Sequence, residues 1–68
     1  MEQETEKILE RIRIIRIEQK TSLLNLSLEA GISHSHLHYI ENKRVIPSID
    51  VLVKISKALG VSVKDLVD

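Results

Sequence analysis

Three histidines, His34, His36 and His38, occupy alternate positions within five residues of this chain. Imidazoles at that density can ligate a metal or move protons, and the backbone that carries them decides which. In a strand all three would share one face. In a helix His34 and His38 lie together, one turn apart, while His36 points away from both. Two neutral imidazoles supply half of a tetrahedral zinc site, and the chain has no cysteine to complete it. The expectation is a polar helix face with no metal and no cofactor. Catalysis is not expected either. There is no Gly-rich phosphate loop, no nucleophilic cysteine and no pair of acids at catalytic spacing, and 68 residues are too few to enclose a substrate pocket.

The formal net charge of zero hides a segregation. Residues 1–10 carry a net of −3, residues 11–46 a net of +3, and residues 47–68 balance. The basic middle contains Arg11, Arg13, Arg16, Lys20, Lys43 and Arg44, so a polyanionic partner would be met there. The apolar residues are mainly 10 Ile, 9 Leu and 6 Val, and Tyr39 is the single aromatic. Surfaces that bind RNA or single strands stack bases on several exposed rings, which one tyrosine cannot supply. No apolar stretch approaches the ~18 residues of a membrane span. The N-terminus is acidic, where a targeting presequence would be basic. One domain over residues 1–68 is expected, cytoplasmic and held by apolar packing rather than by disulfides or a cysteine-bound metal.

Punctuation residues divide the chain into five helical segments. The first runs from about Glu4 to Gln19, with Ile8, Ile12 and Ile15 on one stripe. Ser22 can cap the second, which Gly31 ends in the left-handed conformation that glycine tolerates. Ser33 caps a third, running through Ile40-Glu41-Asn42 and stopping before Pro47. Ser48 caps a fourth, with Asp50 in its first turn, Leu52, Ile55 and Leu59 as its buried stripe, and Gly60 at its end. Ser62 to Asp65 reads as a capping box for a short fifth helix holding Val63 and Leu66. The fold class is all-α. Between the second and third helices lie only Gly31, Ile32 and Ser33, the tight glycine turn that a helix-turn-helix needs, with its core over residues 22–42. Leu23, Leu26, Ser27 and Ala30 share the inner face of the second helix, and Leu37 and Ile40 answer them from the third.

These residues in this order resemble the Cro and phage-repressor type of helix-turn-helix domain, the XRE family. The resemblance runs from residue 8 to residue 67 through Arg11-Ile12-Arg13, Arg16, Ser22, Leu26-Ser27, Gly31-Ile32-Ser33, Leu37, Ile40-Glu41-Asn42, Pro47-Ser48 and Leu52 to Leu66. It implies a compact five-helix, lambda-repressor-like domain and sequence-specific binding of double-stranded DNA by a regulator, commonly a dimeric repressor or controller protein. The third helix becomes the recognition helix, reading bases with His34, Ser35 and Tyr39, with His38 beside them. Phosphates fall to Ser33, to the turn Asn42-Lys43-Arg44 and to the start of the second helix at Ser22 and Leu23. Arg16 and Glu41 occupy the positions of an internal ion pair. Tyr39 can serve a phosphate, a thymine methyl or only the edge of its own helix.

Three positions depart from the family pattern. Leu23 stands where glutamine usually anchors a phosphate, which leaves only backbone N–H groups for that contact. Lys43 stands where glycine is usual, with Asn42 expected to take the left-handed conformation instead. Ser27 replaces an alanine. Histidine titrates near pH ~6.5, so binding to phosphates should tighten between about pH 7.5 and about pH 6. An affinity independent of pH at fixed salt would place neutral histidines on base edges.

Four aliphatics fit neither the core stripe nor the family pattern: Ile14 and Ile17 on the first helix, Leu24 and Leu28 on the second. They read either as scattered exposed residues or as a patch for a second subunit or another protein. A single small domain contacts few bases, so a homodimer on a palindrome is expected, with half-sites ~34 Å apart. Its interface would come from that patch or from Val63 and Val67 on the fifth helix. The alternative function is a protein-interaction module on the same fold, such as an antitoxin-like partner binder, which would dispense with the steep salt dependence of phosphate binding.

Overall fold

Four of the five helices begin on a serine whose hydroxyl accepts a first-turn N–H. Ser22 caps α2 (Leu23–Ala30) by accepting from Asn25 at 3.0 Å. Ser33 does the same for α3 (His34–Glu41) through His36, Ser48 for α4 (Ile49–Leu59) through Val51, and Ser62 for α5 (Val63–Val67) through Asp65. Each such cap contributes ~1 kcal/mol. The longest helix, α1 (Gln3–Glu18), has no side-chain cap and carries Glu4 and Glu6 in its first turn, where they suit the dipole. These elements come from a computed structural model covering residues 1–68, which contains no strand.

At Ser62 the cap is reciprocal. Asp65 returns a carboxylate oxygen to the Ser62 N–H at 2.9 Å, and this backbone hydrogen bond, followed by the one from the serine hydroxyl, holds the Asp65 carboxyl below its ordinary value. The stabilisation from a lowered folded value is complete above the ordinary carboxylate range and is lost only as pH falls to the lowered folded value. The α5 cap should therefore loosen only in strong acid, read as earlier amide exchange at Ser62 and Asp65.

The helices also end alike. Gly31 and Gly60 sit at φ +71° and +72°, and in each case the following residue donates back across the turn, Ile32 to Ser27 and Val61 to Ser56, both at 3.0 Å. Lysine takes the same place after α1 and α3. Lys20 has φ 56° and Lys43 has φ 62°, with Thr21 donating to Arg16 and Arg44 donating to Tyr39. Here the expectation for Asn42 is corrected. Asn42 has φ −90°, and its side-chain amide donates to the His38 carbonyl at 2.8 Å, so the left-handed residue is Lys43. The hydrogen-bond pattern closing the helix demands the left-handed residue one step later than side-chain preference suggests.

The core is aliphatic: Leu9 and Ile12 from α1, Leu26 and Ala30 from α2, Leu37 and Ile40 from α3, Ile55 and Leu59 from α4, and Leu66 from α5. The helix α1 packs on α3, α4 and α5, α2 lies against α3 and α4, and α4 also meets α5. Packing against three neighbours moves the deepest sector of α1 to Leu9 and Ile12, and leaves Ile8 and Ile15 half-buried. Ser27 and Ser56 are buried, and each hydroxyl donates to the carbonyl three residues back, at 2.7 and 2.8 Å. No buried side-chain polar atom is left unpaired. No helix is long and apolar enough to cross a membrane.

Candidate nucleic-acid interface

The tight turn positions α3 across the bundle. Gly31 reverses the chain, Ile32 drops half-buried onto the core, and Ser33 starts the next helix within one residue. Leu37, Ile40 and Glu41 are then buried, which leaves His34, Ser35, His38 and Tyr39 exposed along the opposite side of α3. His36 is half-buried and apart from them. No three His, Asp or Glu side chains converge where a metal could be shared.

Behind this polar face lies the Arg16–Glu41 pair. The guanidinium donates through Nε to Oε2 at 2.8 Å and through Nη2 to Oε1 at 2.9 Å, a bidentate fork joining α1 to the end of α3. Its third nitrogen, Nη1, donates to the Thr21 carbonyl at 3.0 Å. The Glu41 side chain is only 4% exposed and that of Arg16 15%. The Glu41 hydrogen bond raises the Arg16 pKa above its ordinary value against the opposing effect of desolvation. The pair is thus a rigid brace that fixes how far α3 stands from α1.

At the C-terminal end of α3 the Asn42 amide reaches both the His38 carbonyl and, at 3.3 Å, the His38 ring Nδ1. The His38 and Tyr39 rings meet edge to face at 5.7 Å. Asn42, Lys43 and Arg44 are exposed in sequence order around the turn. The Lys43 ammonium lies 3.8 Å from Glu10, an exposed contact of little weight. The side chain of Leu23 packs half-buried against the core, so α2 presents its first-turn N–H groups rather than a polar side chain.

Lys43 carries a cost that glycine would not. A side chain at φ 62° is strained by about 1–2 kcal/mol, while glycine enlarges the unfolded ensemble by about 0.4–1 kcal/mol. Lys43→Gly should therefore stabilise the fold by roughly 0.5–1 kcal/mol in urea denaturation. An unchanged or lower midpoint would mean that the turn relaxes around lysine.

A profile described as "Helix-turn-helix" matches residues 12–66. This chain belongs to that helix-turn-helix family. It is 38% identical over 58 residues to the immunity repressor protein of Bacillus phage phi105, covering 85% of this chain and 40% of the repressor. It is 43% identical over 60 residues to the transcriptional regulator SinR of Bacillus subtilis, covering 87% of this chain and 54% of SinR. The chain thus spans about half or less of these curated relatives. Among solved structures, SinR in complex with DNA superposes with a TM-score of 0.81 at 44% identity, covering 90% of this chain and 98% of that one. SinR in complex with SinI superposes at 0.83 with 42% identity, covering 90% of this chain and 60% of that one. The all-α, five-helix architecture is that of the family's DNA-binding domains.

Within this helix-turn-helix frame the outer aliphatics are spread over two helices. Ile14 and Ile17 are 46% and 49% exposed on α1, and Leu24 and Leu28 are 53% and 69% exposed on α2. On α5, Val67 is exposed beside the crease between α1 and α5, and Val63 is half-buried. Sequence reasoning missed a third exposed group: Val45, Ile46 and Ile49. One signal was available. Ile49 stands six residues before the buried Ile55, a rotation of ~240° that carries it off the core stripe.

Proposed function

We propose that this chain is the sequence-specific duplex-binding domain of a transcriptional regulator, with α3 as its major-groove reader. The observation that carries this is the exposed polar row of His34, Ser35, His38 and Tyr39, held on a helix whose other side is locked into the core and braced by Arg16–Glu41. Donors and acceptors on that row suit base edges, while the first-turn N–H groups of α2 and α3 and the Lys43 and Arg44 side chains suit the flanking phosphates. The relatives support the same reading, since SinR has been solved in complex with DNA and the phage relative is a repressor. A palindromic operator read by a homodimer in the cytoplasm of a bacterium fits a small reader that contacts few bases.

Selection of random duplexes at moderate salt, followed by sequencing, tests this. The expected product is an inverted repeat with half-sites ~10 base pairs apart. A pool that stays random defeats the reading. It would favour a protein partner, for which the exposed Ile14, Ile17, Leu24 and Leu28 and the complex of SinR with SinI are the supporting observations.

A further inference from the structure

Asn42 follows His38 by one helical turn at the C-terminal end of α3. Its side-chain amide has two N–H bonds to place. One lies on the His38 carbonyl at 2.8 Å, and it fixes which end of the amide faces the helix, because Oδ1 there would oppose a second oxygen. The same amide nitrogen stands 3.3 Å from Nδ1 of the His38 ring. The second amide hydrogen therefore meets Nδ1, and two hydrogens collide there unless Nδ1 is bare. The neutral ring then carries its proton on Nε2.

The ring is held from a second side as well. Tyr39 meets it edge to face, with centroids 5.7 Å apart and planes at 62°. The one side-chain hydrogen bond of His38 is at Nδ1, so Nε2–H is left unspent on an exposed side chain. His34 shares the polar row without this lock. The residues one turn ahead of it are Leu37 and His38, and neither carries an amide side chain.

We propose that Asn42 is a positioning residue that fixes His38 as an Nε2–H donor, so that His38 reads guanine in the major groove. The base-reading half of this rests on the function proposed above. Guanine offers N7 and O6 side by side and no donor, whereas cytosine shows a donor that a ring N–H would oppose. Adenine sets a donor beside its acceptor, and thymine sets a methyl group there. With both amide hydrogens spent on His38, the Asn42 side chain has only an acceptor oxygen left, which does not suit a phosphate. Phosphates at this turn pass to Lys43 and Arg44, and Asn42 acts on sequence preference instead.

The tautomer belongs to the free protein and is read without DNA. Long-range nitrogen–proton correlation spectra of the isotope-labelled chain, in mildly alkaline buffer where imidazoles are neutral, locate the proton on each ring. Nδ1 of His38 should be more fully bare than Nδ1 of His34, and Asn42→Ala should bring the two rings to one pattern. On the selected duplex and its single-base variants, His38→Ala and Asn42→Ala should flatten the preference for guanine at the same position of the half-site. Each should do so by about three- to tenfold, the worth of one hydrogen bond. In the His38→Ala background, Asn42→Ala should change that preference no further. A proton on His38 Nδ1, a loss spread evenly over all base variants, or additive effects of the two substitutions overturns the proposal. If the unmodified chain selects no sequence, the functional reading fails instead. The ring spectra then decide the lock alone: a bare Nδ1 that depends on Asn42 retains it, and one indifferent to Asn42 removes it.

Discussion

Arg16→Ala should lower the stability of this domain by about 3–5 kcal/mol. A 68-residue chain holds roughly 3–10 kcal/mol in all, so little of the variant should remain folded. The reason is asymmetric. The intact pair offsets its own desolvation with two hydrogen bonds, at 2.8 and 2.9 Å, and a third from Arg16 to the Thr21 carbonyl. Removing the guanidinium strands a carboxylate that is 4% exposed and frees the turn after α1. Replacing both partners by apolar residues of similar volume, Arg16→Met with Glu41→Leu, should recover most of the loss, because no charge is then buried alone. Urea denaturation of the two single variants and the double gives the coupling directly. An Arg16→Ala protein that keeps its melting temperature and loses only DNA affinity would move Arg16 from the brace to the interface.

The second large effect is on binding. If a dimer neutralises about six phosphates, raising salt from ~50 to ~200 mM should weaken its hold on the duplex roughly a thousandfold. Arg44→Ala should reduce the salt slope by about one per subunit and leave base preference unchanged, since a phosphate contact carries no sequence information. Ser35→Ala should act in the opposite way, altering preference at one position of each half-site by about 1–3 kcal/mol with an unchanged salt slope. Titrations of the two variants against the selected duplex and its single-base mutants separate these roles. A binding constant flat in salt would remove phosphates from the interface and favour a protein partner.

Sequence alone was enough for the four serine caps and the two glycine helix ends, but not for the left-handed Lys20 and Lys43 that close α1 and α3. Ser22, Ser33, Ser48 and Ser62 each act on an N–H three residues ahead, and Gly31 and Gly60 end helices through their own φ angles. Such bonds close within one turn, so residue type and spacing suffice to read them. The family pattern added the register of the helix-turn-helix and the identity of the Arg16–Glu41 partners, which lie 25 residues apart.

Periodicity gave the inner faces of α2, α3 and α4, and only the tertiary structure decided how deeply each residue of a face is buried. Leu9 is buried more deeply than Ile8 or Ile15 because α1 is gripped by three other helices, a fact that its own periodicity does not contain. Lys43, rather than Asn42, is left-handed, but the bond that fixes it, from the Arg44 N–H to the Tyr39 carbonyl, is local, so residue preference misled there and not tertiary packing. Val45, Ile46 and Ile49 look like core residues by type, and they stand in solvent because buried Pro47 and capped α4 aim them outward. Hydrogen bonds that close within a turn are encoded next to where they form. Burial depends on which surfaces meet across the bundle, and those are set by the whole chain packing at once.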